Sequence, residues 1–501
     1  QGFVKLVPWK QIRSDLVANP ELLKGVKISP IAAIPHKSRQ FRMILDLSAK
    51  GRHGRPSVNE STVRELAPQH AMAELGNVLP RCVQMLAEAD EANGPVLMMC
   101  ADIKDGFWRM KHQHDQDMEF AYVLPAVSPD EEPMLVVPSA LQMGYTNSPP
   151  YFCAATETGR DVAEWMRVLP PPELEPHDME DAIFDLVDPT LLSGEGAHPE
   201  DWSPEELKDH LKDIQYLFEV YIDDYIALVQ STDEAVLRQH TRALLHAIHS
   251  IFPPPSVTGH TGEDPISQKK LLKEGDVVWA TRKRILGWIL DGVNHTIELP
   301  EDKISNMTET ITKLLRRKHC SSQEFQSIVG KLTHASIGIP VVKGLMAPLF
   351  QLMHATQSQP TIQIHENSPQ HLALQDMHTI FKVVAKHPTH CKQLVPGYPK
   401  YIGYLDACKW GAGGVWLAGH GKLHPIVWRI KWPPSISAWV ISEANKGKVK
   451  NGITINNLEM AVMLIQFLVL EKLVDTKHIH VAMWCDNTSA VSWTWCMSSR
   501  S

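Results

Sequence analysis

Phe218-Glu-Val-Tyr-Ile-Asp-Asp-Tyr-Ile-Ala-Leu-Val229 is the stretch from which the rest of the chain is read. Two apolar, β-branched runs flank the pair Asp223–Asp224. Asp favours turns, so the stretch reads as a β-hairpin with both carboxylates at its tip. The plain alternative is a surface turn. Adjacent carboxylates repel unless they are solvated or bridged by a cation. A third carboxylate at the end of another strand would complete a site of hard oxygen ligands suited to Mg²⁺.

Such a strand is available upstream. Val96-Leu-Met-Met-Cys-Ala-Asp102 is an apolar run that ends on a carboxylate, and Asp105-Gly106 supplies the turn after it. Phe107 follows Asp102 by five residues, where a flat side chain could lie under a bound sugar. Alternatively, Asp102 caps the turn and Phe107 is core. Leu135 to Thr156 reads as a strand, a turn at Gly144 and a helix start. Asn147 or Ser148 caps that start, with prolines in the first turn. A loop of this kind lets backbone approach a flat ligand closely, although plain strand–loop–helix connections are common.

Toward the N-terminus, Ile31–Ile34 and Phe41–Leu47 read as short strands around a basic turn with His36, Lys37, Arg39 and Arg42. Arg at such a tip can fork onto phosphate oxygens. A solvated hairpin is the alternative. Residues 62–92 read as helical, with a stripe through Leu66, Met72, Leu75, Leu79, Val83 and Leu86.

The 501 residues suffice for several domains with their own cores. The eight Cys (82, 100, 153, 320, 391, 408, 485 and 496) include no C-x-x-C pair, so neither a zinc site nor a disulfide framework is indicated. No signal peptide and no apolar run of transmembrane length is present. An intracellular location, cytoplasmic or nuclear, is therefore expected, with no membrane partner. The chain begins with Gln, which suggests a piece of a longer polypeptide.

Net charge is −8, but residues 170–213 hold 14 acidic and 2 basic side chains, a local balance of −12. The remainder therefore stands at +4, and residues 1–60 carry 11 basic against 4 acidic side chains. Local basic surface of this kind suits phosphate contact. Residues 167–213 are acidic, Pro-rich and poor in core formers, and read as a partly mobile insertion.

Further on, 232–251 reads as an amphipathic helix. Val277–Gly292 reads as a hairpin with a basic turn at Arg282–Arg284, after a basic run at Lys269–Lys273. A helix begins after Pro300, with acids first and Arg316-Arg317-Lys318 last, as the helix dipole favours. Ser321-x-x-Glu324 is a capping box for the next helix. Residues 355–398 look like a connector. The C-terminal hundred residues give the order β-β-β-α-β-α, with Asp406 on the first strand, Glu459 at the start of the long helix and Asp486 at the end of the last strand. Alternatively, Glu459 belongs to an Asn456-x-x-Glu capping box and Asp486 caps the helix after it.

Taken in order, these motifs resemble the reverse transcriptase–ribonuclease H proteins of retrotransposons and retroviruses. Asp102-Ile-Lys-Asp-Gly-Phe resembles the first palm motif, and Leu141-Gln-Met-Gly-Tyr-Thr-Asn-Ser-Pro-Pro-Tyr-Phe152 the second. Tyr221-Ile-Asp-Asp is the Y-x-D-D box, Leu286-Gly-Trp288 resembles the primer grip, and the hairpin with Arg42 resembles the fingers. The order Asp406, Glu459, Asp486 matches ribonuclease H. The resemblance implies an α+β multidomain fold, a right-hand polymerase followed by a partial ribonuclease H-like α/β domain. It places fingers at 1–95, palm at 96–299 with the 167–213 insertion, thumb at 300–354, connector at 355–398 and the ribonuclease H-like part at 399–501.

The resemblance also implies roles. Asp102, Asp223 and Asp224 would hold two Mg²⁺, or Mn²⁺, for nucleotidyl transfer onto a primer 3′-hydroxyl. Lys37 and Arg42 would clamp the triphosphate. Phe107 would exclude a 2′-hydroxyl. Met143, where Gln or Phe is more usual, and Gly144 would line the nucleotide pocket. Asp406, Glu459 and Asp486 would hold the nuclease metals. The implied partners are an RNA template, a DNA primer, an RNA–DNA hybrid and deoxynucleoside triphosphates. The chain departs from the family in its insertion and in ending 15 residues after Asp486, before the fourth acidic ligand, so weak or no hybrid cleavage is expected. Two other readings stand beside this one: a decayed or co-opted copy that binds nucleic acid without chemistry, and a maturase-like or telomerase-like polymerase.

Overall fold

The computed structural model describes all residues except 1–2, 20, 22–25, 36–39, 52–53, 114–117, 127, 129, 195, 259–262, 268–274, 396, 419–423, 442–451, 477–478 and 497–501, and the side chains of 495–496. The chain mixes helix and sheet and divides into two compact units. One is Gln1–Leu286 with Leu290–His295; the other is Gly287–Ile289 with Thr296–Ser501.

In the first unit, β1 (Val4–Pro8) leads into α1 (Trp9–Ala18). The hairpin β2 (Ile31–Pro35) and β3 (Phe41–Leu45) pairs Ile31 with Leu45 and Ile34 with Arg42. The basic turn at its tip, with Lys37, lies outside the described residues. Residues 62–92 do not form one helix. A 3-10 turn at Arg64–Leu66 precedes α2 (Gln69–Glu74) and α3 (Val78–Glu88), and Leu66 of the expected stripe is 76% exposed. Pro68 and Gly76 fall at the breaks, one lacking an N–H and the other costly in helix, which explains the interruption.

β4 (Leu97–Asp102) is buried along its length except at Cys100 and Asp102, which are half-buried. β5 (Tyr122–Leu124) and β6 (Met134–Pro138) join β1 in the order β1-β6-β5. α4 (Ser148–Met166) has Pro in its first turn. Asn147 occupies the N-cap position, but its amide donates to the Val63 carbonyl (3.2 Å) and makes no cap bond, and Ser148 Oγ donates to the Gln142 carbonyl instead. The expected side-chain cap is therefore absent there.

The acidic insertion is built into the core. Its α5 (Glu180–Phe184) and α6 (Pro204–Lys212) bury Leu174, Met179, Ile183, Phe184, Leu207 and Leu211. The expected partly mobile segment is thus a packed layer of the same core as β4, β7 (Tyr216–Tyr221) and β8 (Asp224–Val229). Those three strands form an antiparallel sheet in the order β4-β8-β7. The helix α7 (Glu234–Ile251) opens on Asp233, whose carboxylate accepts from Ala235 N (2.9 Å) and Val236 N (3.3 Å). It is buried almost all round, not amphipathic toward water, because the insertion covers its polar face. Arg242, with no exposed side chain, bonds Glu180 of α5 through Nε (2.5 Å) and Nη2 (2.9 Å), and also pairs with Glu200. Arg238 bonds Glu180 (3.0 Å), Asp181 (3.0 Å) and Glu234 (2.8 Å). Buried guanidinium groups demand such partners, and the acidic run supplies them. Composition suggested disorder because it counts charges without knowing that their partners lie 42–62 residues away.

A short α8 (Pro255–Thr258) follows. In the hairpin of β9 (Arg282–Ile285) and β10 (Trp288–Asp291), the turn is Leu286–Gly287, with φ of 49° and 79°. Arg282–Arg284 therefore lie in the strand and not in a basic turn. Gly supplies one of the two left-handed positions that such a hairpin turn requires. Lys283 Nζ donates to the carbonyls of Gly275 (3.1 Å), Asp276 (2.5 Å) and Val278 (2.6 Å).

In the second unit, β11 (Thr296–Glu298) precedes α9 (Glu301–Arg317), with acids in its first turn and Arg316–Arg317 in its last. After β12 (His319–Ser321) comes α10 (Ser322–Ala335), where Ser321 Oγ accepts from Glu324 N at 3.1 Å. α11 (Pro340–Ala355) follows. The expected connector is folded with these helices. Its β13 (Thr361–Gln363) pairs with β12, α12 (Pro369–Val384) packs on α9 and α11, and β14 (Thr389–His390) pairs with β11.

The C-terminal part is a four-stranded sheet, ordered β17-β16-β15-β18, from β15 (Pro399–Cys408), β16 (Gly411–Ala418), β17 (Ile426–Lys431) and β18 (His480–Trp484). β15 and β18 are parallel, and the other neighbours are antiparallel. The short α13 (Pro434–Ser437) precedes α14 (Ile455–Glu471), which packs on β15; α15 (Thr488–Cys496) packs on α14. A Cβ on Gly403 or Gly414 would meet the buried Gln466 at 2.6 Å or closer, so these glycines admit the helix to the sheet.

Candidate active site

The β4-β8-β7 sheet puts three carboxylates at one end. In register, Asp102 is the partner of Asp224, and Ile103 N donates to the Asp223 carbonyl at 3.0 Å. The turn between β7 and β8 holds Ile222 at φ 59°. A β-branched residue there is strained, and the flanking ladder must hold it. One carboxylate oxygen from each of Asp102, Asp223 and Asp224 lies within 4.8 Å of the others, and all three residues are half-buried. Hard oxygens at this spacing fit a divalent cation such as Mg²⁺ or Mn²⁺, which would relieve their mutual repulsion.

The surroundings are apolar and fixed. Tyr225, fully buried beside Asp224, donates its hydroxyl to the Thr156 carbonyl of α4 at 2.8 Å. Burial pushes the Cys100 thiol up to about 12, eased by Lys283 and reinforced by Asp224. Burial likewise lowers Lys283 from the ordinary lysine value. Phe107 is half-buried, with its ring 5.1 Å from that of Phe152 in edge contact. A Cβ on Gly106 would meet the Phe152 ring at 2.5 Å, so glycine lets the 105–109 turn close on α4.

Gly144 has φ 96°, and a Cβ there would lie 3.1 Å from the Leu45 carbonyl. Sequence reading marked Gly144 but missed what holds it. Asn59 Nδ2 donates to Gly144 O (2.9 Å) and Ser48 Oγ (2.8 Å), and Asn59 Oδ1 accepts from Thr146 N (2.9 Å). Arg42 reaches this loop and donates to Met143 Sδ. Two of the expected substrate residues are therefore adjacent. Lys37 lies outside the described residues.

A strap also went unread. Residues 263–267 lie along the chain just after β4. Ile266 bridges Ile103, Ser267 N donates to the Asp102 carbonyl (3.2 Å), and Lys104 N donates to Pro265 O (2.7 Å). Arg109 ties it down through Glu263 O (3.0 Å) and Asp264 O (3.1 Å). The only sequence signal was the turn-forming pair Asp264-Pro265.

The two capping readings of the C-terminal carboxylates do not hold. Thr454 and Asn457 form the capping box of α14, so Glu459 plays no capping part. Asn487 accepts from Ala490 N (3.0 Å) and so caps α15 in place of Asp486. Glu459 is 3% exposed. Its Oε1 accepts from Ala407 N (3.1 Å), and Cys485 Sγ donates to Oε2 at 3.6 Å. Burial raises the Glu459 carboxyl, with Asp406 and Asp486 adding to the shift against those two bonds. Glu459, Cys485 and Asp486 form the group with ligand atoms within 4.8 Å; Asp406, exposed on β15, is not in it.

No protein-family model and no curated protein matches the chain. Among solved structures it is similar to the foamy viral protease-reverse transcriptase, at 15% identity in each case. The dRH form in complex with double-stranded DNA aligns with a TM-score of 0.41 over 96% of this chain and 70% of that one. The protein bound to an RNA/DNA hybrid aligns at 0.42, over 99% of this chain and 51% of that one. The double-stranded DNA complex aligns at 0.39, over 96% and 75%.

Proposed function

We propose that this chain is an RNA-directed DNA polymerase of a retroelement, adding deoxynucleotides to a primer 3′-hydroxyl. The observation that carries the reading is the carboxylate cluster of Asp102, Asp223 and Asp224 at the end of the β4-β8-β7 sheet. Mg²⁺, or Mn²⁺, held by these three residues would supply activation of the 3′-hydroxyl and charge neutralisation on the triphosphate.

The chain's own groups do the rest. The ladder from Asp102 to Asp224 and the bond from Ile103 N to Asp223 O fix where the carboxylates stand, so little reorganisation accompanies the reaction. Gly144 offers backbone without a side chain, and Asn59 holds that loop in place for a flat base. Arg42, beside Met143, is assigned to the triphosphate. Phe107, braced by Phe152, is assigned to the face of the sugar. Lys37 completes the triphosphate contacts in this proposal. In the same reading the fingers, palm, thumb and connector keep the bounds given above. Asp406, Glu459 and Asp486 form the ribonuclease H-like site, and RNA template, DNA primer, their hybrid and deoxynucleoside triphosphates are the partners. Cys485 inside the tight group, in place of Asp406, is the observation that favours weak hybrid cleavage.

The test is primer extension on poly(rA)–oligo(dT) with Mg²⁺, wild type beside Asp223→Asn. Extension by wild type alone is expected, with primer–template bound equally by both. Equal extension by the variant refutes the site, and no extension by either, with binding intact, supports a copy that binds without chemistry.

A further inference from the structure

The acidic insertion reaches the candidate metal site through a one-way chain of hydrogen bonds. Met179 N donates to His177 Nδ1 (3.2 Å), so the proton of neutral His177 is on Nε2. His177 Nε2 lies 3.1 Å from His249 Nδ1 on α7. That leaves the His249 proton on Nε2, which lies 3.1 Å from Asp264 Oδ1. Asp264 Oδ1 also accepts from Ile266 N at 2.8 Å and so shapes the strap that bonds the Asp102 carbonyl. Each bond fixes the tautomer of the next ring, and the chain has one consistent proton arrangement.

We infer that this chain locks the 264–267 strap behind Asp102, making His249 and Asp264 positioning residues for the carboxylate cluster. The inference rests on the polymerase reading and gives the insertion a task in it. The geometry leaves no acceptor for a second proton on His177, which would face the Met179 N–H. Burial pushes His177 down to about 3, helped by His249 and His246 and opposed by Asp264. Burial pushes Asp264 up, but the bonds from His249 and Ile266 N outweigh it and hold the carboxyl below its usual range. Among the described residues, the other charged or titratable groups around the chain include His246 and Arg242 on α7, Glu180 on α5, Asp105 and Arg109 on the turn after β4, and the paired Lys104 and Glu263.

The experiment reads metal binding directly. Mn²⁺ binding is followed by electron paramagnetic resonance in the 501-residue chain carrying Glu459→Gln and Asp486→Asn, which removes two ligands of the other candidate group. Asp223→Asn, His249→Phe and His249→Gln are compared on that background, and circular dichroism checks folding. His249→Phe is expected to lose roughly ten-fold in affinity near neutral pH, as outer-shell partners of metal ligands do. His249→Gln, which keeps a donor for Asp264, is expected to recover most of that loss. If His249→Phe does not fold, His177→Leu breaks the chain one link further away and must give the same loss. Loss of Mn²⁺ in Asp223→Asn, with His249→Phe or His177→Leu matching the parent in affinity, overturns the inference alone. Unchanged Mn²⁺ binding in Asp223→Asn overturns the polymerase reading on which it rests.

Discussion

Replacing Glu180 by Ala removes the carboxylate shared by two buried arginines. Glu180 is 2% exposed and takes four bonds, two from Arg242, one from Arg238 and a long one from His177 N at 3.5 Å. After the change Arg242 keeps Glu200, which is partly solvated, and Arg238 keeps Glu234 and Asp181. Arg242 Nε, inside the protein, keeps no carboxylate of its own. Breaking a buried pair from one side costs about 3–5 kcal/mol, because the remaining charge stays desolvated. Asp181→Ala is the control. It touches the same Arg238, but its side chain is 85% exposed, so the loss should stay below about 1 kcal/mol. Replacing Glu180 and Arg242 together by Met should return most of the stability, since neither charge then needs a partner. Amide hydrogen exchange along α7 measures the opening free energy of this region in each variant. If Glu180→Ala and Asp181→Ala lower α7 protection equally, the insertion is not the electrostatic partner of α7 and the reasoning fails.

Two further outcomes are expected. Burial pushes His177 and His240 down to about 3, the latter against a bond to the Val236 carbonyl. The unfolded chain therefore binds these protons first. Stability is full above about pH 6.5 and falls as pH drops toward 3, by about 2 kcal/mol per histidine between pH 6.5 and 5. A thermal midpoint of the first unit that is level over that interval, before carboxylates titrate, would contradict the burial of both rings. Phe107→Ala should raise ribonucleotide incorporation relative to deoxynucleotide, read as the ratio of the two kcat/KM values. An unchanged ratio removes Phe107 from the sugar contact.

Local signals carried much of the architecture. The apolar runs flanking Asp223–Asp224, the apolar strand ending on Asp102 and the turn residues near Gly144 gave strands and turns that the structure has. Pairing at a distance was not legible. Nothing in the composition of 170–213 says that Glu180 and Glu200 face Arg238 and Arg242, so an acidic, Pro-rich run read as loose. The amphipathic helix α7 was legible, but the burial of its polar face was not, for the same reason. Offsets of one to a few residues also escaped. Thr454 with Asn457, and Asn487, cap the helices that Glu459 and Asp486 were candidates to cap. The arginines of β9 stand two and four residues before the true turn, because the positive φ at Leu286 depends on the strands on either side. Asn59 and the 263–267 strap escaped the reading, since their partners are brought near only by the fold.

The most direct test of the central claim is single-turnover addition of one deoxynucleotide to a primer on an RNA template, with primer–template binding measured on the same samples. Wild type should extend the primer in a Mg²⁺-dependent burst. Asp102→Asn and Asp223→Asn should bind equally well and extend by at least about a thousand-fold less, as expected when an electrostatic group at the reacting centre is lost. A burst of wild-type size in either variant would contradict the assignment of the carboxylate cluster as the reaction centre.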